Sequence, residues 1–403
     1  HHRRDAALGG KAAPRRAHRQ PRPGTERVQR RRTVQCQDRD IAVPFNHQPA
    51  HPHIPRRVSP RGLLHSNSEN DIVFSIGQMT EPAPSLLYLS GRDMAGLNIE
   101  PEEASAAIEE ALGFAPGEVF TVPKLNLPLR PGEFFQAMPA AARHLGLALV
   151  KWTGVVAKRG GSYLPNVNAL IALSDIVSGQ PVAVLAGNHL TALRTAAMTA
   201  IAARRLARAD SSAIAFVGTG LQARSHLAAL RPLFPRLPAA YPFGRTPSSV
   251  AAFADHVRAT GLRPVVCAKP RLAIEPAHIV VTTVPAAEGF VPFLDGSWLK
   301  PGAFAAMVDL GRSWRRESIR DFDVMATDDR TQSAAIAADG KLAHGGPWAA
   351  DLAALGAGRR LAGTGPRPRT GFILAGMALA DLAVAALAYR RALAANVGTR
   401  LEH

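Results

Sequence analysis

The sequence predicts an α/β protein: a Rossmann-type doubly wound parallel sheet, joined to an α+β domain built from the N-terminal half and the C-terminal helix. Three observations predict it. The second half repeats a strand-then-helix alternation six times. A glycine turn follows the first of those strands. Ahead of them lies a mixture of short strands, hairpin turns and helices. At 403 residues the chain is long enough for about two to three domains.

Residues 1–84 read as a disordered basic tail. Up to position 78 the chain carries 15 Lys and Arg against 6 Asp and Glu, with two aromatics (Phe45, Phe74) and no apolar periodicity. Such a segment buries too little surface to offset its ordering entropy. It contains no methionine before Met79, and upstream sequence carried in from a misplaced start is the leading explanation. A phosphate-binding arm and an organelle transit peptide are the alternatives, and few aromatics are present to stack bases.

An α+β half, assigned 85–207 together with 350–403, follows. A strand is expected from Leu86, a helix over Glu102 to Leu112, and strands over Val119 to Leu129, Phe134 to Pro139 and Leu147 to Trp152. Two more, Asn168 to Leu173 and Val182 to Leu185, flank the polar turn Ser174-Asp-Ile-Val-Ser-Gly-Gln-Pro181 and read as a hairpin. An Ala-rich helix from Leu190 to Ala207 leads out.

The Rossmann half is assigned 208–349. Its strands are expected at Ala213 to Val217, Ala239 to Tyr241, Val265 to Ala268, Ile279 to Val284, Ala303 to Asp309 and Val324 to Thr327. Their Val, Ile and Ala run without polar alternation, as in strands covered on both faces. The run Phe372 to Ala394 reads as one apolar helix packed back on the first half. Asp381 interrupts it, which argues for a buried helix over a membrane span.

The chemistry begins at Ala213-Ile-Ala-Phe-Val-Gly-Thr-Gly-Leu-Gln-Ala223. Gly218 permits the tight turn, Gly220 lets backbone approach a pyrophosphate, and Ala223 allows close helix–strand contact, while the helix N-terminus offers amides. Thr219, Leu221 and Gln222 belong to the same turn. The bland alternative is a glycine turn kept for packing. At the second strand an NAD site usually offers an acid to the ribose; here the chain reads Tyr241-Pro-Phe-Gly-Arg245-Thr246. Arg245 and Thr246 suit a 2′-phosphate, so NADP(H) is expected, with NAD(H) the alternative. Two cysteines in the whole chain exclude a disulfide scaffold and a cysteine-built zinc site. No metal is expected, and the compartment is expected to be cytoplasmic.

Over about Leu86 to Leu401 the chain resembles the ornithine cyclodeaminase/mu-crystallin family. The resemblance rests on Ala137-Met-Pro-Ala140, Leu149-Val-Lys151-Trp, Leu193-Arg194-Thr-Ala-Ala197, the glycine turn and Ile279-Val-Val-Thr-Thr-Val284. It implies a homodimer whose α+β half binds substrate and dimerises. It makes Lys151 and Arg194 the clamp for a substrate carboxylate, with Lys124 where the family usually has an arginine. Asn166, Arg194, Thr195, Thr283, Val284 and Val308 join the glycine turn as cofactor contacts by the same comparison.

Three departures from the family pattern shape the expected reaction. Counting from Pro301-Gly302, the family's catalytic aspartate falls on Gly311, and the nearest acid is Asp309, taken as the proton-handling residue beside Lys151. The acid that meets the ornithine side chain falls on Gln136. The C-terminal Ser-x-Gly appears as Leu374-Ala-Gly376. An imine reductase tolerates these losses better than a cyclodeaminase, because a protonated imine already carries its proton. The expectation is NADPH-dependent reduction of a small imino acid to an amino acid, with no membrane partner and no nucleic-acid role. Ornithine cyclodeamination and a non-catalytic NADP(H)-binding protein are the alternatives.

Overall fold

Alternation of inward and outward side chains builds the first sheet. The computed structural model describes residues 85–156, 166–287, 289–358, 361 and 366–402; the basic tail expected at 1–84 lies outside the described residues. Strand β1 (Ser85–Leu89) is followed by helices α1 (Gly91–Gly96) and α2 (Pro101–Leu112). Then come β2 (Val119–Thr121), β3 (Leu125–Arg130), β4 (Glu133–Ala142), β5 (Leu147–Val155), β6 (Val167–Asp175) and β7 (Pro181–Ala186). Strands β4 to β7 form an antiparallel meander; β1 runs parallel to β7, and the C-terminal strand Thr399–Glu402 closes the far edge. Along β5 the residues Leu147, Leu149, Lys151 and Thr153 are buried, whereas Val150 and Trp152 are exposed. The two-residue period therefore carries a lysine into the core face. The β6–β7 turn is the expected hairpin, with Asp175 Oδ1 accepting the amides of Val177 and Ser178.

The Ala-rich helix α3 (Gly187–Leu206) leads to the second sheet, with most of its residues buried. Its elements are β8 (Ile214–Val217), α4 (Leu221–Leu230), β9 (Ala239–Phe243), α5 (Pro247–Ala259), β10 (Arg263–Pro264), α6 (Pro270–Ile274) and β11 (Ile279–Thr282). They continue through β12 (Phe304–Met307), β13 (Val324–Thr327), α7 (Arg330–Ala338), α8 (Leu352–Gly356) and β14 (Thr370–Ile373). All seven strands are parallel, in the order β10-β9-β8-β11-β12-β14-β13. Helix α9 (Ala378–Ala395) and the closing strand β15 (Thr399–Glu402) return to the first sheet. Small alanine side chains let α9 pack closely on α2 and α3 beneath the inward face of that sheet.

Three elements differ from expectation. The run expected as one helix from Phe372 begins as β14, inserted between β12 and β13, and the helix starts only at Ala378. A short apolar run has the same appearance in a buried strand and a buried helix, so periodicity alone cannot separate them. Part of the C-terminal segment assigned to the first half therefore belongs to the nucleotide sheet. The strand expected at Val265 to Ala268 is the short edge pair Arg263–Pro264. Finally, Val119 to Leu129 is two strands, broken at Pro123 and Lys124, since proline restricts its neighbour and donates no hydrogen bond.

Candidate active site

Two groups of residues carry chemistry. The first is a cleft of about 1160 Å³ at the C-terminal ends of the parallel strands, lined by Gly218, Thr219, Gly220, Arg245, Thr246, Ser249, Thr283 and Val284. Arg130 to Glu133 and the exposed Asn166 line it from the other half. Beside β8 the strand order reverses, which is where open parallel sheets bind their ligands. Gly218 has φ +99°, and a Cβ there would lie 2.6 Å from Thr283 Oγ1. Gly220 caps α4, and a Cβ there would meet nothing within 4 Å, so the space before the helix amides is open. Thr283 Oγ1 and Gln222 Oε1 are buried without a partner among the described residues. Open glycine backbone, helix amides and orphaned polar atoms together fit a dinucleotide.

Not every expected contact lines that cleft. Thr195 is buried on α3 and donates to Thr191 O at 2.6 Å. Leu221 stands exposed on the first turn of α4. Val308 packs against the core, its amide bonded to Thr282 O.

The second group is a buried cluster of cations and acids. Lys151 Nζ donates to Asp381 Oδ2 at 2.6 Å, and Arg194 Nε donates to Asp381 Oδ1 at 2.9 Å. Lys151, Arg194 and Asp381 come from β5, α3 and α9, and all three are buried. Burial pulls the Lys151 ammonium down to about 7; the charge of Arg194 adds to the fall and Asp381 opposes it. Lys124, in the break between β2 and β3, donates its amide to Gln332 Oε1 and its ammonium to Ala375 O. Burial lowers it to about 8, opposed by the charge of Asp328. Asp328 itself accepts the amides of Ala375 and Gly376, so it fixes the turn where the family pattern has Ser-x-Gly. Gln136 shares the inward face with Met138, which lies opposite Lys151, and donates to Asn126 Oδ1 at 2.7 Å.

Asp309, expected to handle a proton, is engaged elsewhere. Its Oδ1 accepts from Thr282 and its Oδ2 from Ser313, and burial raises its carboxyl above the usual range. Both oxygens hold the loop after β12, which is a structural task. Gly311 has φ +72°, and a Cβ there would lie 2.7 Å from that of Ala343, so an aspartate side chain has no room. Asp381, which joins Lys151 to Arg194, is the member of this cluster that sequence reasoning missed. An acid inside an apolar helical run is the sequence signal that points to it. No helix among the described residues is long and apolar enough to cross a membrane. Nor do they contain a group of three His, Cys, Asp or Glu able to hold a metal ion.

The model of the ornithine cyclodeaminase/mu-crystallin family matches residues 92–396. An alanine dehydrogenase of Archaeoglobus fulgidus is 29% identical over 78% of this chain and 98% of its own length. A Delta(1)-pyrroline-2-carboxylate reductase of Bacillus cereus is 25% identical over 77% and 97%. Among solved structures, Thermococcus litoralis Delta(1)-pyrroline-2-carboxylate reductase in complex with NADH and L-proline matches with TM-score 0.70 and 26% identity, covering 78% of this chain and 99% of that one. An archaeal alanine dehydrogenase dimer with bound NAD matches at 0.69 and 28%, covering 79% and 99%.

Proposed function

The chain belongs to the ornithine cyclodeaminase/mu-crystallin family, and on that premise we propose that it is an NADPH-dependent reductase of small imino acids. The bond reduced is a C=N next to a carboxylate, and the product is an amino acid. The observation that carries this reading is the buried pair Lys151 and Arg194 with the half-buried Lys124, in a fold whose glycine turn suits a dinucleotide.

Arg194 and Lys124 supply the positive charge that fixes a carboxylate and so orients the adjacent carbon. Lys151, with its ammonium near neutrality, holds a proton close to the substrate nitrogen at working pH. A nicotinamide, when bound, supplies the hydride. The carbon takes the hydride, the nitrogen keeps its proton, and the C=N bond becomes CH–NH. Because the iminium already carries charge, the reaction does not need an acid at position 311. Cyclodeamination does, and Gly311 is walled in by Ala343, Met307 and Ile373.

For the cofactor, Arg245, Thr246 and Ser249 stand on the cleft wall after β9, with no acid in that turn. That set favours a 2′-phosphate. A second copy of the chain is the partner proposed for the outward face of the first sheet. The test is nicotinamide absorbance with the full chain, using pyrroline-2-carboxylate, and pyruvate or glyoxylate with ammonia or methylamine. NADPH oxidation with at least one of them, faster than with NADH, is expected. NADPH binding with no turnover on any would make it a binding protein, and proline formed from ornithine on catalytic NAD would make it a cyclodeaminase.

A further inference from the structure

Asp381 lies on α9, at a place where its helical neighbours Ala380, Leu382 and Ala383 are apolar and buried. A carboxylate there is costly unless cations and hydrogen bonds compensate it. Each of its oxygens is taken by a different cation, Oδ2 by Lys151 and Oδ1 by Arg194. Those two cations arrive from β5 and α3, so one carboxylate ties three elements together at one point.

We propose that Asp381 is the positioning residue of this site, holding the Lys151 ammonium and the Arg194 guanidinium in place and keeping Lys151 in its protonated, donating form. This rests on the reading of the chain as an imino-acid reductase. The donor count leaves N–H groups on both cations beyond those given to Asp381. An ammonium has three N–H groups and Lys151 uses one on Asp381. A guanidinium has five; Arg194 uses Nε on Asp381 and turns Nη1 toward Met198 Sδ at 3.7 Å.

The charges facing Lys151 decide what happens without Asp381. Arg194 faces it from α3, Lys124 from the break between β2 and β3, and Asp381 from α9. Lys124 in turn faces Asp328, at the end of β13, and Arg312. Asp381 is the one acid in contact with Lys151 among the described residues. Its removal leaves a buried ammonium beside two other cations, so Lys151 gives up its proton at lower pH.

The experiment compares Asp381→Asn and Asp381→Glu in the full chain. The chain has seven lysines, few enough to follow each by NMR of ¹³Cε-labelled lysine, with Lys151→Met assigning the signal. In a folded, NADPH-binding Asp381→Asn protein the Lys151 midpoint should fall by about one pH unit or more. The high-pH limb of kcat/KM should fall with it. Asp381→Glu keeps the charge but pushes both cations by a methylene, so its midpoint should stay within about half a unit while kcat/KM drops roughly tenfold or more. An unmoved midpoint in folded Asp381→Asn overturns the proposal. If that variant does not fold, wild-type kcat/KM in Asp381→Glu overturns it instead. The titration needs no turnover, so an inactive but NADPH-binding wild type would defeat the reductase reading and leave this arm standing.

Discussion

Arg245 stands exposed on the wall of the nucleotide cleft, beside Thr246 and Ser249. A guanidinium forking onto a phosphate makes charge-assisted hydrogen bonds worth about 1.5–3 kcal/mol. Arg245→Ala should therefore weaken NADPH by roughly 10–100-fold and leave NADH within about threefold, measured by titration calorimetry with each. Equal losses for both would remove the phosphate from the role of Arg245. The place of Arg245 on the cleft wall was legible because it is counted a few residues past a recognisable strand. That Lys151 and Arg194 belong together was legible from their motifs, and the structure brings both to one carboxylate. Their shared acid was not, since Asp381 lies 230 residues from Lys151 in sequence and only the packing of α9 under the sheet joins them. Asp309 failed for a related reason: as a lone acid at a strand end it reads as reactive, until Thr282 and Ser313 are seen to hold both of its oxygens.

At the scale of the element, the strand–turn–helix from β8 to α4 separates conformation from access. Gly218 needs its positive φ, and an added Cβ would collide with Thr283. Gly218→Ala should therefore cost about 1–3 kcal/mol of stability and abolish NADPH binding. Gly220 is different, because a Cβ there meets only open space. Gly220→Ala should melt like the wild type and still bind NADPH at least about tenfold more weakly, since the methyl group blocks backbone approach to a pyrophosphate. Paired thermal melts and cofactor titrations check both; wild-type binding in Gly220→Ala would show that no phosphate comes close to that turn. This element was readable in full, because glycine spacing, strand burial and helix start are all local. The strand β14 was not. Its residues Phe372 and Ile373 are apolar and continuous with α9 in composition, and its place between β12 and β13 is set by pairing with strands far away in sequence.

For the whole molecule, strand pairing lines up a row of side chains on the outward face of the first sheet. Leu125 pairs with Ala137, Ala137 with Trp152, and Trp152 with Leu170, so one apolar line crosses four strands. Phe135 stacks on Trp152 at 5.3 Å, while Leu125 is 64% exposed and Trp152 and Leu170 are more than 40% exposed. Single exposed apolar residues are ordinary, but a contiguous row across four strands suits the second copy of the chain proposed for this face. With a second copy of the chain burying this row, β5 would serve two purposes, since Val150 and Trp152 point outward while Lys151 between them points inward to Asp381. The wild type should then sediment at about twice its 42.8 kDa at roughly 10 μM, a concentration well above the dissociation constant of a stable dimer. The double variant Trp152→Glu, Leu170→Glu, which places like charges opposite each other in that row, should sediment as a monomer and lose kcat/KM because β5 loses its outer support. A wild type that sediments as a monomer would refute the interface. A variant that is monomeric yet fully active would separate the outward face of β5 from the chemistry on its inward face.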